Sequence, residues 1–251
     1  YLVPTFSNPS GRVMALERRR AILALALRMG VSILEDDPYG ELWFDQPAPP
    51  PIRALADANP DAAARVIYVS SLSKTVSPGL RVGWVILPEA LIQPFKLTKS
   101  TADVHSSVLS QAVADGYLAQ DRLAGRVALA RRTYRAKAHA MAEALAEFAP
   151  SLSVEQPAGG MFIWACLPQA IPAAAFSRFA LTEAGVAIVP GEPFYESEPE
   201  TNRLRLSFSQ GSHEQLREGA RRVGDALRRW SQRRPYAHSQ SEGVRSRARL
   251  E

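Results

Sequence analysis

Three short polar segments in the first third of the chain contain residue types that could bind a cofactor or catalyse a reaction. They read Ser7-Asn8-Pro9-Ser10-Gly11, Glu35-Asp36-Asp37-Pro38-Tyr39 and Ser70-Ser71-Leu72-Ser73-Lys74, and the last continues to Pro78-Gly79-Leu80-Arg81. Each has an ordinary structural explanation, as a tight turn, a solvated strand end or helix cap, and a surface lysine. Only their combination points to chemistry.

Lys74 stands out because lysine is scarce in this chain. Of the 30 basic residues, four are lysines (Lys74, Lys96, Lys99 and Lys137), and the others are arginines. Lys74 comes just after the buried strand predicted at 65–70, is flanked by hydroxyl side chains and precedes a Pro-Gly pair. A lysine that serves only solubility is less expected there, which makes Lys74 a candidate nucleophile.

Taken together, the three segments supply what pyridoxal phosphate requires. That cofactor needs a lysine for its aldehyde, an anion beside its ring nitrogen, donors for its phenolic oxygen and a cradle for its phosphate. Lys74 can form the imine, and one carboxylate of the Asp36 and Asp37 pair can keep the ring nitrogen protonated, since an opposite charge at contact shifts a pKa by about 1–3 units. The remaining candidates are Asn8 and Tyr39 for the phenolic oxygen and Ser71, Ser73 and Arg81 for the phosphate.

The surrounding pattern predicts an α/β sheet that brings these segments together. Strands are expected at 1–6, 31–34, 65–70 and 81–87, with an amphipathic helix at 14–29 that Gly30 ends. A strand, a crossover helix and a second strand imply a parallel pair. Because ligands bind beyond the carboxyl ends of parallel strands, the loops after Phe6, Leu34 and Ser70 are expected to meet at one edge.

The rest of the chain predicts a second, smaller α+β unit. Helices are expected at 89–98, 106–118, 121–148, 173–184 and 213–230, and strands at 152–155, 161–167, 187–189 and 203–207. We expect residues 1–122 to form part of a mostly parallel, incomplete large domain and residues 123–232 a small C-terminal α+β domain. Residues 233–251 are expected to be a disordered basic tail.

The motifs resemble those of the class I/II aminotransferases, pyridoxal-phosphate enzymes of fold type I, and are most similar to the branch of 2-aminoadipate and broad-specificity enzymes. The segments that match in order and spacing are Asn8-Pro9-Ser10-Gly11, Asp36-x-x-Tyr39, Ser71-x-Ser73-Lys74 with Arg81, Gly159-Gly160-Met161-Phe162-Ile163-Trp164, Val189-Pro190-Gly191 before Phe194-Tyr195, and Arg205-Leu206-Ser207-Phe208. The resemblance extends from Tyr1 to about Trp230.

The resemblance implies a role for individual residues in transamination between an L-amino acid and a 2-oxo acid. It makes Lys74 the lysine that holds the cofactor and then moves the substrate proton, and it selects Asp36 over Asp37 as the partner of the ring nitrogen. It assigns the substrate carboxylate to Arg205, with Arg203 as the rival on the same face of the strand. It also implies a homodimer, since sites in this family are built across one.

The resemblance also shows where the chain departs from the family. Family members carry a substantial segment before the Asn-Pro loop, so the 251 residues are expected to be incomplete for activity. Three alternatives stay open: the effector domain of a winged-helix transcription regulator, a pyridoxal-phosphate lyase on the same scaffold, and a non-catalytic remnant. In the regulators the tyrosine usually follows the Asp pair directly, whereas Pro38 intervenes here, which favours the free-standing enzyme.

Composition and charge narrow the class of protein. The net charge of +5 lies in the last residues: from Arg228 onward there are seven arginines against Glu242 and Glu251, and the rest of the chain is balanced. Nucleic acid is therefore not an expected partner of the folded part. The longest apolar runs have seven residues, too few for a membrane helix, so no membrane partner is expected. The single cysteine, Cys166, and the absence of a metal-ligand pattern predict a reducing, cytoplasmic setting without a bound metal.

Overall fold

The computed structural model describes residues 1–232, and the expected disordered tail at 233–251 lies outside that range. The helices are Leu16–Met29 (α1), Ile52–Ala56 (α2), Pro60–Ala63 (α3), Glu89–Ala102 (α4), Val108–Leu118 (α5), Leu123–Phe148 (α6), Ala173–Ala184 (α7) and His213–Gln232 (α8). The strands are Ile33–Asp36 (β1), Val66–Ser71 (β2), Gly83–Ile86 (β3), Ser153–Val154 (β4), Phe162–Cys166 (β5), Val189–Pro190 (β6) and Arg203–Ser207 (β7).

The first sheet has the order β1-β2-β3 and confirms the predicted α/β arrangement. β1 and β2 are parallel, with Asp36 opposite Val69, as the crossover through α2 and α3 requires. β3 runs antiparallel to β2, because the 72–82 connection is a hairpin rather than a crossover. Nothing in the sequence analysis predicted the short helices α2 and α3.

The predicted strand at 1–6 is wrong except at one residue. Leu2 forms an isolated parallel bridge with Glu35, donating its N–H to Leu34 O at 2.9 Å and accepting from Asp36 N at 2.8 Å. The pairing goes no further because Pro4 has no N–H to donate and because Phe6 adopts a φ of 47°, outside the extended region. The chain therefore turns away from the sheet just before Asn8.

The second sheet has the order β4-β5-β7-β6, with all three pairings antiparallel. On its two central strands every second residue is buried: Ile163 and Ala165 on β5, and Leu204 and Leu206 on β7. These residues pack against α6, α7 and α8 in the largest hydrophobic cluster of the described chain. Gly224 permits the close approach of α8 to the end of α6, since a Cβ there would lie 2.0 Å from Phe148 O.

No helix within residues 1–232 is both long enough and apolar enough to cross a membrane. The same residues contain no cluster of three or more His, Cys, Asp or Glu side chains that could hold a metal ion.

Candidate active site

The Asn8 loop is a compact turn that projects Asn8 toward the second sheet. Ser7 N donates to Arg12 O at 3.0 Å, and Gly11 N donates to Ser7 O at 2.6 Å. Gly11 has a φ of 67°, a backbone conformation that favours glycine, which explains its place in the motif. Asn8 Oδ1 accepts a hydrogen bond from Arg205 Nη1 at 2.7 Å. The structure thus joins the first polar segment to an arginine almost two hundred residues away.

Asp36 is the last residue of β1, and Tyr39 follows it by three residues. Asp36 Oδ2 accepts a hydrogen bond from the Tyr1 hydroxyl at 2.5 Å. Burial, together with this contact, raises the pKa of Tyr1 to about 12. Tyr39 is buried, with its ring edge-on to Phe162 at 6.1 Å between centroids. Burial and the nearby negative charge of Asp36 raise the pKa of Tyr39, whereas the positive charge of Arg205 acts in the opposite sense. The Tyr39 phenol is therefore within electrostatic reach of both charges.

The lysine segment forms a tight turn directly after β2. Leu72 and Thr75 are buried and anchor it, and Val76 N donates to Leu72 O at 2.9 Å. Ser73 N approaches Ser71 Oγ at 3.4 Å. Lys74 is half-buried, and within residues 1–232 its ammonium has no hydrogen-bond or ion-pair partner. A partly desolvated amine without a partner is free to react with a ligand.

The turn of Lys74 and the Asp36 carboxylate lie at the same edge of the first sheet. Asp36 is opposite Val69, and Lys74 follows Val69 by five residues, just past the end of β2. Neighbouring strands lie about 4.8 Å apart. The polar segments after β1 and β2 are therefore neighbours, as the parallel pairing predicts.

Arg81 lies at the entrance to β3, near the end of β2. Gly83 is the register partner of Ser71, so Arg81 stands two residues beyond that pair. Its backbone is left-handed, with a φ of 56°, and its side chain is exposed, with Nη1 3.5 Å from Pro78 O. The structure brings Arg81 to the same turn region as Ser71 and Ser73 without a direct contact between them.

Arg205 is held on β7 between two aromatic rings. Its guanidinium carbon lies 4.6 Å from the ring centre of Phe162 and 5.1 Å from that of Phe194, within the range of cation–π contacts. Arg203, on the same face of β7, instead donates to Glu200 at 2.6 Å. The two arginines therefore have different surroundings, and Arg205 is the one that joins Asn8.

Sequence reasoning missed two buried charges beneath this edge of the sheet. Arg19 and Glu35 are both 0% exposed. Glu35 accepts from Ile52 N and Arg53 N, each at 2.8 Å, and so caps α2, yet burial still raises its pKa. A signal was present for Arg19, which follows Leu16 by three residues and precedes Leu23 by four, a spacing that places a charged residue on the apolar face of α1.

Asp37 points away from Asp36, to the opposite face of the sheet. It is 8% exposed, its Oδ2 accepts from the Tyr68 hydroxyl at 3.1 Å, and its backbone oxygen accepts from Ser70 Oγ at 2.7 Å. A cavity of about 670 Å³ opens on that side, and of the predicted site residues it includes Ser71 alone. The cavity therefore coincides neither with the Asn8–Arg205 contact nor with Asp36.

Comparisons with known proteins identify the family of the chain. The family model "Aminotransferase class I and II" matches residues 2–223. A 2-aminoadipate transaminase of Thermus thermophilus is 38% identical over 91% of this chain and 57% of its own length. A solved structure of the α-aminoadipate aminotransferase of the same species, complexed with N-(5'-phosphopyridoxyl)-L-leucine, superposes with a TM-score of 0.84. It is 39% identical over 91% of this chain and 58% of that one.

Transcription regulators are also among the relatives. An uncharacterised HTH-type transcriptional regulator of Bacillus subtilis is 34% identical over 91% of this chain and 46% of its own length. The chain spans about half the length of the curated relatives that it matches. The family match covers most of the chain, and the structural similarity is high. The chain therefore belongs to the class I and II aminotransferase family.

Proposed function

We propose that this chain is part of an aminotransferase that uses pyridoxal 5'-phosphate to exchange an amino group between an L-amino acid and a 2-oxo acid. The observation that carries the proposal is the hydrogen bond between Asn8 and Arg205, together with the position of Asp36 and the unpaired Lys74 at the same edge of the first sheet. The phosphopyridoxyl-leucine complex of the Thermus relative supports the cofactor.

The residues present fit the cofactor chemically. Lys74 offers a half-buried amine with no partner in the described chain, and Asp36 offers a carboxylate at the adjacent strand end. Tyr39 and Asn8 supply polar groups for the phenolic oxygen. The hydroxyls of Ser71 and Ser73 and the guanidinium of Arg81 lie in one turn region, where they can hold a phosphate. Bound there, the cofactor supplies an electron sink for the substrate carbon.

The chain's own residues would then divide the work. Lys74 would accept the proton from the substrate Cα as a general base and later donate a proton as a general acid. Asp36 keeps a negative charge beside the ring nitrogen so that this nitrogen stays protonated. Two half-reactions in sequence, the first releasing a 2-oxo acid, make the cycle a ping-pong exchange.

Arg205 is proposed to hold the α-carboxylate of both substrates. Its guanidinium is fixed by two rings and by Asn8, and a forked guanidinium suits a carboxylate. Arg203 is the weaker candidate, because Glu200 already neutralises it. With the carboxylate fixed on the second sheet, the substrate Cα would be presented toward the lysine on the first.

We also propose a homodimer in the cytoplasm and a division into a large domain over 1–122 and a small one over 123–232. The dimer is supported by α4, none of whose residues is buried, and by the exposed Leu91, Phe95 and Leu97 on it. The free thiol of Cys166 supports a reducing compartment. The two sheets, each with its own hydrophobic cluster, support the domain division.

The experiment that tests the function uses the full-length protein loaded with pyridoxal 5'-phosphate. Mixing it with a panel of amino acids and no oxo acid should yield 2-oxo acid and convert the bound cofactor to pyridoxamine phosphate. Lys74→Ala should lower turnover by at least about 10²–10⁴-fold, the usual size of acid–base catalysis, and remove the visible absorption of lysine-bound cofactor. Lys99→Ala is the matched control, because Lys99 makes only an exposed ion pair with Asp103.

The same experiment separates the alternative functions. Release of ammonia would identify a lyase on this scaffold. Cofactor binding without turnover of any amino acid would favour a regulatory role, as the HTH-type relative suggests. Undiminished transamination by Lys74→Ala would contradict the role of Lys74.

A further inference from the structure

Arg19 is a fully buried cation that the proposed reaction does not use. It is 0% exposed and lies on α1 among apolar residues. A charge is costly to bury unless hydrogen bonds and an opposite charge compensate it. Glu35, also 0% exposed, supplies a nearby negative charge without forming an ion pair within contact distance. What Arg19 bonds to therefore shows what its burial accomplishes.

The hydrogen bonds of Arg19 converge on the base of the Asn8 loop. Nη2 donates to Pro4 O at 3.1 Å and to Thr5 Oγ1 at 2.9 Å, and Nε donates to Met14 O at 2.9 Å. Pro4 O also accepts from Met14 N at 2.7 Å. Pro4 and Thr5 before the Asn8 loop and Met14 after it are thus held together, and we call these residues the neck of the loop. Nη1 donates to Pro50 O at 3.2 Å in a separate loop. One guanidinium thus fixes both ends of the segment that carries Asn8.

The neck needs such support because the backbone beside it is strained. Phe6, next to Thr5, has a φ of 47° although it is not a glycine. A residue in that region is strained and persists only where the surroundings enforce it. The Phe6 ring is 2% exposed and packs so tightly that a Cβ on Gly159 would lie 2.4 Å from it. Arg19 on one side and this packing on the other hold the turn that leads to Asn8.

We propose that Arg19 is a positioning residue for substrate binding: it fixes the neck of the Asn8 loop so that Asn8 keeps Arg205 aligned for the substrate carboxylate. This inference rests on the proposed function of Arg205. It predicts a specific kinetic pattern, because Lys74 stands on a different loop with no bond to Arg19. Loss of Arg19 should therefore weaken carboxylate binding more than it slows the proton-transfer step, which feels only the weaker contact of Asn8 with the cofactor's phenolic oxygen.

The test compares Arg19→Met and Arg19→Lys in the full-length, cofactor-loaded protein. Two quantities are measured: KM and kcat for a reactive amino acid, and the dissociation constant of butanoate, a carboxylate without an amino or oxo group. For Arg19→Met we expect KM and the butanoate dissociation constant to rise about 10–10²-fold, the scale of a misplaced binding group, and kcat to fall by a smaller factor. Arg19→Lys should recover part of the loss, since it keeps the charge without the fork.

A double substitution distinguishes positioning from general support of the fold. If Arg19 acts through Asn8, adding Arg19→Met to Asn8→Ala should change butanoate binding little further. Independent, additive effects would overturn the proposal. Arg18→Met is the matched control, because Arg18 is exposed on the same helix. Thr5→Val, which removes one acceptor of Arg19 and nearly keeps the shape, serves if Arg19→Met does not fold, and it should shift both quantities in the same direction by a smaller amount.

The outcomes separate this inference from the proposed function. If the wild-type protein transaminates and neither Arg19 variant nor Thr5→Val changes KM or butanoate binding by more than twofold, the inference is wrong and the function stands. If the wild-type protein neither transaminates nor binds butanoate, the proposed function fails first. A lower melting temperature with unchanged binding would show that Arg19 only stabilises the fold.

Discussion

The two sheets differ in how completely their faces are buried. On β5 and β7 every second residue is buried, and Ile163, Ala165 and Leu204 are 0% exposed. On β2 only Val66 is buried, and on β3 Trp84 and Ile86 are 45% and 43% exposed. The four-stranded sheet therefore packs on the larger hydrophobic cluster, whereas β2 and β3 of the three-stranded sheet leave much of their surface uncovered within residues 1–232.

The proposed chemistry is distributed unequally between these two regions. Asp36, Lys74 and the phosphate candidates lie on the poorly buried sheet, and Arg205 lies on the well-packed one. A site that needs fixed geometry benefits from rigid supports. The first sheet must therefore be ordered at its polar edge by specific contacts, such as those of Arg19 and Glu35, rather than by a deep core.

The same substitution placed on each sheet tests the comparison most strongly. Ile163→Ala should destabilise the protein by about 2–5 kcal/mol, the cost of a cavity in a packed core, whereas Ile86→Ala should cost less than about 1 kcal/mol, since its side chain is 43% exposed. Urea unfolding of both variants gives the two free energies. An equal loss for Ile86→Ala would show that the face of β3 is covered in the full-length protein, and the contrast between the sheets would disappear.

Asp36→Asn tests whether a residue of the first sheet takes part in the chemical step. We expect kcat to fall at least about 10²-fold, or roughly 2.7 kcal/mol, because a fixed negative charge beside the reacting ring is lost. KM should change much less, since Arg205 still binds the carboxylate. Asp45→Asn is the control, as Asp45 pairs only with Arg135 at the surface. A drop confined to KM would contradict the assigned role.

Most of the fold could be predicted from periodicity, because the relevant patterns are local. The range of α7 and β7 agrees residue for residue, and the other long helices begin or end within a few residues of their predicted bounds. The predicted strand at 1–6 failed because a backbone turn at Phe6 depends on packing against Gly159, far away in the sequence. The antiparallel direction of β3 is likewise a property of the whole hairpin.

The site could be predicted only as far as residue types and strand ends allow. Parallel pairing was enough to bring the loops of Asp36 and Lys74 to one edge. The contact of Asn8 with Arg205 joins a loop beside the first sheet to a strand of the second. No pattern of neighbouring residues predicts such a contact, so only the family resemblance pointed to Arg205. The choice between Arg205 and Arg203 was also not local, since it depends on Glu200, Phe162 and Phe194.

The contrast between those two arginines can be sharpened with one matched pair. Arg205→Lys should raise the KM of both substrates about 10-fold or more, because lysine cannot form the bidentate contact with a carboxylate or stack as a plane between the rings. Arg203→Lys should change KM by less than about threefold, because its guanidinium already pairs with Glu200. Steady-state kinetics with both substrates gives the values. A larger effect at Arg203 would exchange the two roles.

Asp37 follows β1 of the first sheet and is only 8% exposed, although much of that sheet is poorly buried. We expect its effect on stability to be smaller than the effects above. Burial raises the pKa of Asp37 above its usual value of 3.8, although the Tyr68 hydroxyl and the charge of Arg19 favour the ionised form and Glu41 opposes it. The folded protein therefore keeps the proton to a higher pH than the unfolded chain does. The stability that Asp37 contributes is present below its ordinary pKa and is lost as the pH rises through the folded pKa.

Asp37→Asn should remove this pH dependence. Asparagine keeps an oxygen that can accept from Tyr68, but it has no proton to lose. The variant should gain stability relative to the wild type as the pH rises from about 4 to 7, and urea unfolding across that range measures the difference. Burial and the charge of Asp37 both raise the pKa of Glu35, so removing the Asp37 charge lessens that rise and adds to the expected gain in the same direction. Asp45→Asn should show no such gain, because Asp45 is largely exposed. If instead the wild type became more stable relative to the Asp37 variant with rising pH, the ionised carboxylate would be the stabilised form. Its surroundings would then solvate the charge better than its burial implies.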